Sequence, residues 1–341
     1  MEKSRREFLK TAAASATFAA APLGLPAATT VVPNLEQGSE VARVSALFAP
    51  LPGQVAFRIF APAANGRPGF TASFNSSEML FVASSIKGYL LCEALRQADA
   101  PDIDHVLEQK RLALNASVWS PGSPAFTPEA LIGTVSERTT METMITRSDN
   151  TATDMLFKLA GADNVRAFVS SISLTNTFIP DSTRAVVAYV FGAPNYLTIS
   201  WEELQNYLGG PLVHPFLNDV ETLASSADDF VAFYSRALQG EFFTHPETLT
   251  EFRRILTLCD FIYLIPVPLG ASAYAKSGNA DFPNFHVRSF AGGMFVGGRW
   301  AYFSFIINWD APADEDPRTV QAFFAAINFS LSLVKQIFTQ C

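Results

Sequence analysis

The chain has few of the residues that build metal centres or covalent frameworks. Its 341 residues include three cysteines (Cys92, Cys259, Cys341) and four histidines (His105, His214, His245, His286). Three thiols cannot all pair within one chain, and none stands at a metal-ligand spacing. No two histidines are four residues apart and none has a cysteine neighbour, so the common zinc-site patterns are missing. No metal or organic cofactor is expected. Positive charge is also scarce: 24 Lys and Arg against 32 Asp and Glu give a formal net charge of −8. A negative chain without basic clusters is a poor partner for a phosphate backbone, which excludes nucleic acid. Long apolar runs are missing too. The stretch from Tyr302 to Trp309 is flanked by Arg299 and Asp310 and falls well short of the roughly 20 residues of a membrane span, so no membrane anchor is expected. Core-forming material is plentiful, with 49% hydrophobic residues and 30 phenylalanines against 16% charged residues. That composition describes a globular chain, long enough for one large domain or two interlocked lobes.

The first 28 residues read as a targeting segment. Ser4-Arg5-Arg6-Glu7-Phe8-Leu9-Lys10 resembles a twin-arginine export signal, followed by an Ala-rich stretch to about Leu23 and small residues around Pro26-Ala27-Ala28. Pro22, Gly24 and Pro26 oppose an amphipathic helix there. Cleavage after residue 28 removes four basic and two acidic residues and leaves a mature chain, 29–341, at −10. The expected partner is the twin-arginine export machinery, and the expected destination is the periplasm or the exterior.

Periodicity then sketches the fold. A short helix is expected over Leu35 to Ala46 and strands over Gln54 to Ala61 and Gly69 to Phe74, with a turn at Asn65-Gly66-Arg67-Pro68. Phe81 to Gln97 reads as a buried helix that includes Cys92 as an inert core thiol. From about Pro101 to Thr250 the pattern is helical, including Glu137 to Ile145 and Asn150 to Leu159, with Ser226 as a helix N-cap. Ala185 to Ser225 reads as a long loop with one short helix. Strand character returns over Ala271 to Gly278, Phe285 to Phe295 and Arg299 to Trp309, with Gly297-Gly298 as a hairpin turn. Asp316 starts a final amphipathic helix ending near Gln340. The expected class is α+β. Both chain ends (35–100 and 265–341) build one five-stranded antiparallel sheet flanked by terminal helices, and residues 101–264 form an all-helical lobe. The cleft between the lobes is the natural site.

Ser84-Ser85-Ile86-Lys87 opens the apolar helix, and residues three apart share a face, so the Ser84 hydroxyl and the Lys87 amine can meet. A serine needs such a base to become a nucleophile, and a lysine serves when burial and a second cation leave it partly neutral. Ser85 lacks this partner, because three residues beyond it stands Gly88. Ser148-Asp149-Asn150 lies between two helices, and Lys276-Ser277-Gly278 closes a strand near the C-terminus. Each motif is common alone; the three in this order are specific.

Together they resemble class A β-lactamases and related penicillin-recognising serine hydrolases, whose three corresponding motifs line one cleft. Val118-Trp119-Ser120-Pro121 resembles the loop that sets an aromatic gate over that cleft. The resemblance covers roughly residues 35 to 341. It implies that Ser84 attacks an amide or lactam carbonyl, Lys87 takes its proton, and Ser148, aided by Lys276, relays a proton to the leaving nitrogen. It implies further that Asn150 holds the substrate's side-chain amide. Lys276 and Ser277 would bind its carboxylate, with Arg288 as a second anchor and Trp119 as the gate. The oxyanion would sit between the backbone N–H groups of Ser84 and Asn279, next to Gly278, and Asp149 is expected to be structural.

One departure stands out. Class A enzymes carry a water-activating glutamate on the loop after the Ser-Asp-Asn helix. Here Leu174 to Val187 contains none: Thr183 lies nearest its position, Asp181 is the one local carboxylate, and Glu202 and Glu203 follow downstream. Three readings follow from the residues: a β-lactam hydrolase in which Asp181 substitutes, of the kind that confers antibiotic resistance; a hydrolase of another ester, peptide or peptidoglycan stem; or a penicillin-binding protein that stays acylated.

Overall fold

The hydrophobic patterns at the two chain ends meet in a single sheet. The computed structural model describes residues 37–339 apart from 65, 260–261, 263–266, 283 and 313–315; the export signal, Gln340 and Cys341 lie outside the described residues. The chain opens with α1 (Gln37–Phe48), β1 (Gln54–Ala61) and β2 (Phe70–Phe74), then β3 (Leu80–Phe81), a 3-10 turn (Ala83–Ile86) and α2 (Lys87–Ala98). The middle holds α3 (Ile103–Gln109), β4 (Arg111–Leu114), β5 (Gly133–Ser136), α4 (Glu137–Thr146), α5 (Asn150–Ala160), α6 (Ala162–Ser171), α7 (Thr183–Val190), α8 (Trp201–Leu204), β6 (Ala224–Ser225), α9 (Ala227–Ala237) and α10 (Pro246–Leu256). The end supplies β7 (Ser272–Phe282), β8 (Phe285–Val296), β9 (Arg299–Trp309) and α11 (Pro317–Thr339).

The sheet runs β2-β1-β9-β8-β7 and its pairs are antiparallel, so the first and last strands in the sequence lie side by side at its centre and β7 forms an edge. Alternation along β9 sorts its side chains between two layers. Phe305 faces α1 and α11 through Phe48, which also touches Phe57 and Phe323. Tyr302 and Asn308 face the other way, toward Gln239 just beyond α9 and toward Phe81. By length and composition α11 is apolar enough to cross a membrane. It nevertheless carries a buried stripe through Phe323, Ile327, Leu331 and Val334 at helical spacing and lies on α1, β8 and β9. Cys92 and Cys259 are buried free thiols, and burial pushes the Cys92 thiol well above its ordinary pKa.

The α+β class and the five-stranded sheet agree with the sequence pattern. The lobe 101–264 is not all-helical, because β4 and β5 pair as a small antiparallel sheet within it, and three further details differ. The buried helix expected from Phe81 starts instead at Lys87, because Ala83 has φ +45° and Leu80–Phe81 pairs with Ala224–Ser225. Strand β7 runs on to Phe282, where polar Asn279 and Asp281 hid its strand character while they pair with Arg288 and His286 of β8. The segment 185–225 carries two short helices, α7 and α8. Gly297 and Gly298 both have positive φ (59° and 73°), as a two-residue hairpin of the primed type requires.

Asn308 fastens β3 to the sheet: its Nδ2 donates to the Phe81 carbonyl (2.8 Å) and its Oδ1 accepts from the Phe81 N–H (3.0 Å), all buried. Asn308→Ala leaves both backbone groups unpaired, and each such loss costs about 1–3 kcal/mol. A drop of roughly 2–4 kcal/mol in denaturant titration is expected, and a loss under about 0.5 kcal/mol would show that Asn308 does not hold β3.

Candidate active site

Three chain segments far apart in sequence converge on one point. The first is the 3-10 turn, which presents half-buried Ser84 and leads into α2 with Lys87 at its first position. Val82 N–H donates to the Leu223 carbonyl at 2.8 Å, so β6 holds the turn from one side. Ser85 Oγ lies 3.2 Å from the Lys276 carbonyl and 2.7 Å from Ser289 Oγ, and Ser289 donates to the Val82 carbonyl at 2.7 Å. The turn is thereby stitched to β7 and β8.

The second segment is the loop between α4 and α5. Ser148 has φ +52°, a conformation a non-glycine residue keeps only when its surroundings impose it. Behind it Asp149 caps α5. Its carboxylate accepts from Ala152, Ala125 and Phe126 N–H groups at 2.8–2.9 Å. Burial pushes the Asp149 pKa up, while those three donors and the Lys87 charge work against the rise. Asp149 is thus structural: it fixes the loop 120–126 to α5.

The third segment is β7. Lys276 and Lys87 are both buried and both reach Ser148. Lys276 Nζ donates to Ser148 Oγ (3.1 Å) and to the Ser277 carbonyl (2.8 Å). Lys87 Nζ donates to the Ser148 carbonyl (2.5 Å), to Asn150 Oδ1 (2.8 Å) and, at 3.4 Å, to Ser148 Oγ. Asn150 Nδ2 donates in turn to the Pro121 carbonyl at 2.7 Å. At Gly278 a Cβ would stand 2.1 Å from the Val82 oxygen and 2.9 Å from Ser84 N, so β7 and the turn approach as closely as glycine permits. Asn279 follows on the same edge strand. Ser84, Lys87, Ser148, Asn150, Lys276 and Gly278 are brought together.

The other expected site residues sit differently. Ser277 is buried, with the Cys259 thiol donating to its hydroxyl at 3.7 Å. Arg288 is not a free anchor: its two terminal nitrogens grip the Asp281 carboxylate at 3.0 and 2.8 Å, because residue 281 lies diagonal to it across the β7–β8 register. Trp119 is buried, its ring edge-to-face with Trp201 at 6.3 Å, rather than an exposed gate. Asp181 turns away from the cluster. Its carboxylate pairs with Arg166 at 2.7 Å, and the hydrogen bonds from Arg166 and its charge outweigh partial burial and lower its pKa. Glu202 is exposed, and Glu203 is spent on the capping box of α8.

Thr183 occupies the ground beside Asn150. Its hydroxyl lies 2.7 Å from Asp154 Oδ1, 3.0 Å from Ser120 Oγ and 3.3 Å from the Asn150 carbonyl. Asp154 also accepts from the Thr183 and Arg184 N–H groups, and its burial raises its pKa against those bonds. Neither Asp154 nor Trp201 was marked by the sequence; Asp154 falls at a buried helix position where periodicity expects an apolar residue. Among the described residues no cluster of His, Cys, Asp or Glu is arranged to hold a metal ion.

A second unmarked carboxyl closes the long loop. Buried Glu221 faces the Asp181 N–H (3.3 Å), and burial together with the Asp181 carboxylate pushes its pKa up to about 8. An acid that holds its proton more tightly when folded stabilises the fold at low pH. That contribution fades as pH rises from about 4.5 through about 8. Glu221→Gln should flatten the fall in thermal midpoint across this window, and a variant whose profile parallels the wild type would exclude Glu221 as its cause. Asp181, shifted downward, acts at lower pH and does not overlap.

Comparison with known proteins matches this arrangement. The Beta-lactamase enzyme family matches residues 42–301. No curated protein sequence matches the chain. Among solved structures, a leucine-to-glutamate variant of PBP-A, an acyl-enzyme complex with penicillin G, is 17% identical with a TM-score of 0.64 over 88% of this chain and 97% of that one. A β-lactamase from Sphaerobacter thermophilus DSM 20745 is 20% identical with a TM-score of 0.65, covering 89% and 98%. A class A β-lactamase representative from Bacteroides cellulosilyticus DSM 14838 is 16% identical with a TM-score of 0.65, covering 89% and 100%. At these identities the structures report the shared fold. The family match runs from α1 into β9, through the turn, the Ser148 loop and β7, and so the chain belongs to the beta-lactamase enzyme family of serine hydrolases acting on lactam bonds.

Proposed function

We propose that this protein opens β-lactams by forming an acyl-enzyme at Ser84 and releases it by slow hydrolysis. The observation that carries the first half is Ser148 between two lysine amines. A hydroxyl has two acceptor sites and one proton to give. With Lys87 and Lys276 both donating to Ser148 Oγ, that proton is left to donate outward. With the charge of Lys276 favouring a neutral Lys87, Ser84 Oγ bonds to the lactam carbonyl carbon and its proton passes to Lys87. The C–N bond breaks, Ser148 gives its proton to the leaving nitrogen, and Lys87 passes the proton it took to Ser148. Asn150, with Lys87 on its Oδ1 and Pro121 on its Nδ2, keeps one lone pair and one N–H for the substrate's amide. The Ser84 and Asn279 N–H groups are the proposed oxyanion donors, and Lys276 the proposed partner of the substrate carboxylate.

The second half rests on Thr183. Where a water-activating carboxylate is needed, a hydroxyl already engaged with Asp154 stands instead, and Asp181 is held by Arg166. A missing general base typically removes about 10²–10⁴ in rate. The acyl-enzyme of the PBP-A variant with penicillin G is in keeping with such an intermediate in this fold. The twin-arginine-like start of the chain supports action in the periplasm or outside the cell.

An intact-mass time course with excess benzylpenicillin tests this directly. The expected result is a penicilloyl adduct that clears slowly as hydrolysed drug accumulates, and no adduct in Ser84→Ala at a near wild-type thermal midpoint. No adduct and untouched drug would move the substrate to another ester or peptide.

Replacing Thr183 by glutamate should restore a base, but beside Asp154 the new carboxyl would hold a proton. The double variant Thr183→Glu with Asp154→Asn is therefore expected to clear the adduct about 10–100-fold faster than wild type. Clearance no faster than wild type would show that deacylation is not limited by this position.

A further inference from the structure

The chain between α7 and β6 has a small core of its own. Ala188, Phe191, Ala193, Ile199, Leu204 and Leu208 are buried together, apart from the main core. Val213 and His214 N–H groups both return to the Val190 carbonyl, so the segment folds back on α7. It touches both flanks of the site. Phe216 packs on Phe81, three residues before Ser84, and on Phe282 and Phe285 at the β7–β8 hairpin. At the other flank Trp201, capped into α8 by Ser200 and Glu203, sets its ring against Trp119.

Trp201 is fixed and Trp119 is not fully satisfied. The Trp201 indole N–H donates to Glu129 Oε1 at 2.7 Å, and Glu129 lies on the loop whose earlier part, Ala125 and Phe126, is tied to Asp149. The Trp119 indole N–H, by contrast, is buried with no hydrogen-bond partner among the described residues. A buried donor without an acceptor disfavours the position that hides it, so an edge-to-face contact with a clamped neighbour has something to oppose. The Trp119 loop is in turn bolted to the site: Ser120 N–H donates to Thr151 Oγ1, and the Pro121 carbonyl takes the Asn150 amide.

Building on acyl-enzyme formation at Ser84, we propose that Trp201 is a positioning residue for substrate choice: clamped by Glu129, it pins Trp119 on the loop that meets Asn150 through Pro121, and so keeps bulky acyl groups off that flank of the site. The substrates favoured are those with a small side-chain acyl group or none, and release of Trp119 admits bulky ones. Trp119 then trades a hidden N–H for a hydrated one, which lowers the resistance to opening once Trp201 is gone.

The test compares second-order acylation of the full chain by 6-aminopenicillanic acid, which has no acyl group, and by a penicillin carrying a 2,6-dimethoxybenzoyl group. Trp201→Ala is expected to raise the ratio of bulky to small at least tenfold over wild type, Trp201→Phe to keep it within threefold, and Glu129→Leu to raise it about fivefold. A ratio within twofold of wild type in Trp201→Ala overturns the proposal. Should that variant fail to fold, Glu129→Leu, at an exposed position, decides by the same criterion. If neither compound labels the wild type, the acyl-enzyme reading falls and takes this inference with it; labelling with an unchanged ratio removes the inference alone.

Discussion

Two buried lysine amines meeting on one serine set the terms for the rest of this protein. Burying a cation is expensive, and the partners described for the two amines are carbonyl, amide and hydroxyl oxygens. Asp149, immediately behind Ser148 and held by three backbone donors, is a negative charge that feels Lys87. Three requirements follow. Ser148 must adopt a left-handed conformation to offer both its carbonyl and its hydroxyl, the Asp149 cap must hold, and β7 must press on the Ser84 turn closely enough that only glycine fits at 278.

Much of this was legible because the chemistry is written in short motifs. Ser84 and Lys87 were named by their spacing, and Ser148, Asn150 and Lys276 by short motifs whose roles the family resemblance implied; such signals survive translation into a helix turn or a strand end. The five strands were legible for a related reason: apolar alternation and a Gly-Gly turn are local signals. Arg288 and Trp119 were read less well. A charged residue on a strand and an aromatic in a loop announce nothing about partners, and their partners, Asp281 and Trp201, are set by register and by a distant segment. Thr183, Asp154 and Glu221 were opaque for the same reason. Asp154 sits where a helix period expects an apolar side chain, and it is tolerated there because three donors at the start of α7 reach it.

The segment between α7 and β6 shows how an added stretch is made compatible with a site. It has a small core of its own and joins the main core through Trp201, Phe216 and Leu223. Its neck is held by the Val82–Leu223 and Phe178–Ala224 backbone bonds and by the Asp181–Glu221 approach. Where the residues before Ser84 and those before α9 run together, a change in either is felt at the nucleophile.

The two described cysteines bear on a different matter, the route by which the protein matures. Each thiol is buried and unbonded to the other, Cys259 resting against the Ser277 hydroxyl. The sheet, the capped loop and the turn at Ser84 are held by packing and hydrogen bonds that form equally well in a reducing or an oxidising compartment. Folding of the described chain therefore waits on no disulfide-forming catalyst. The same working shape is open to the described chain in either setting, and neither buried thiol needs protection to reach it.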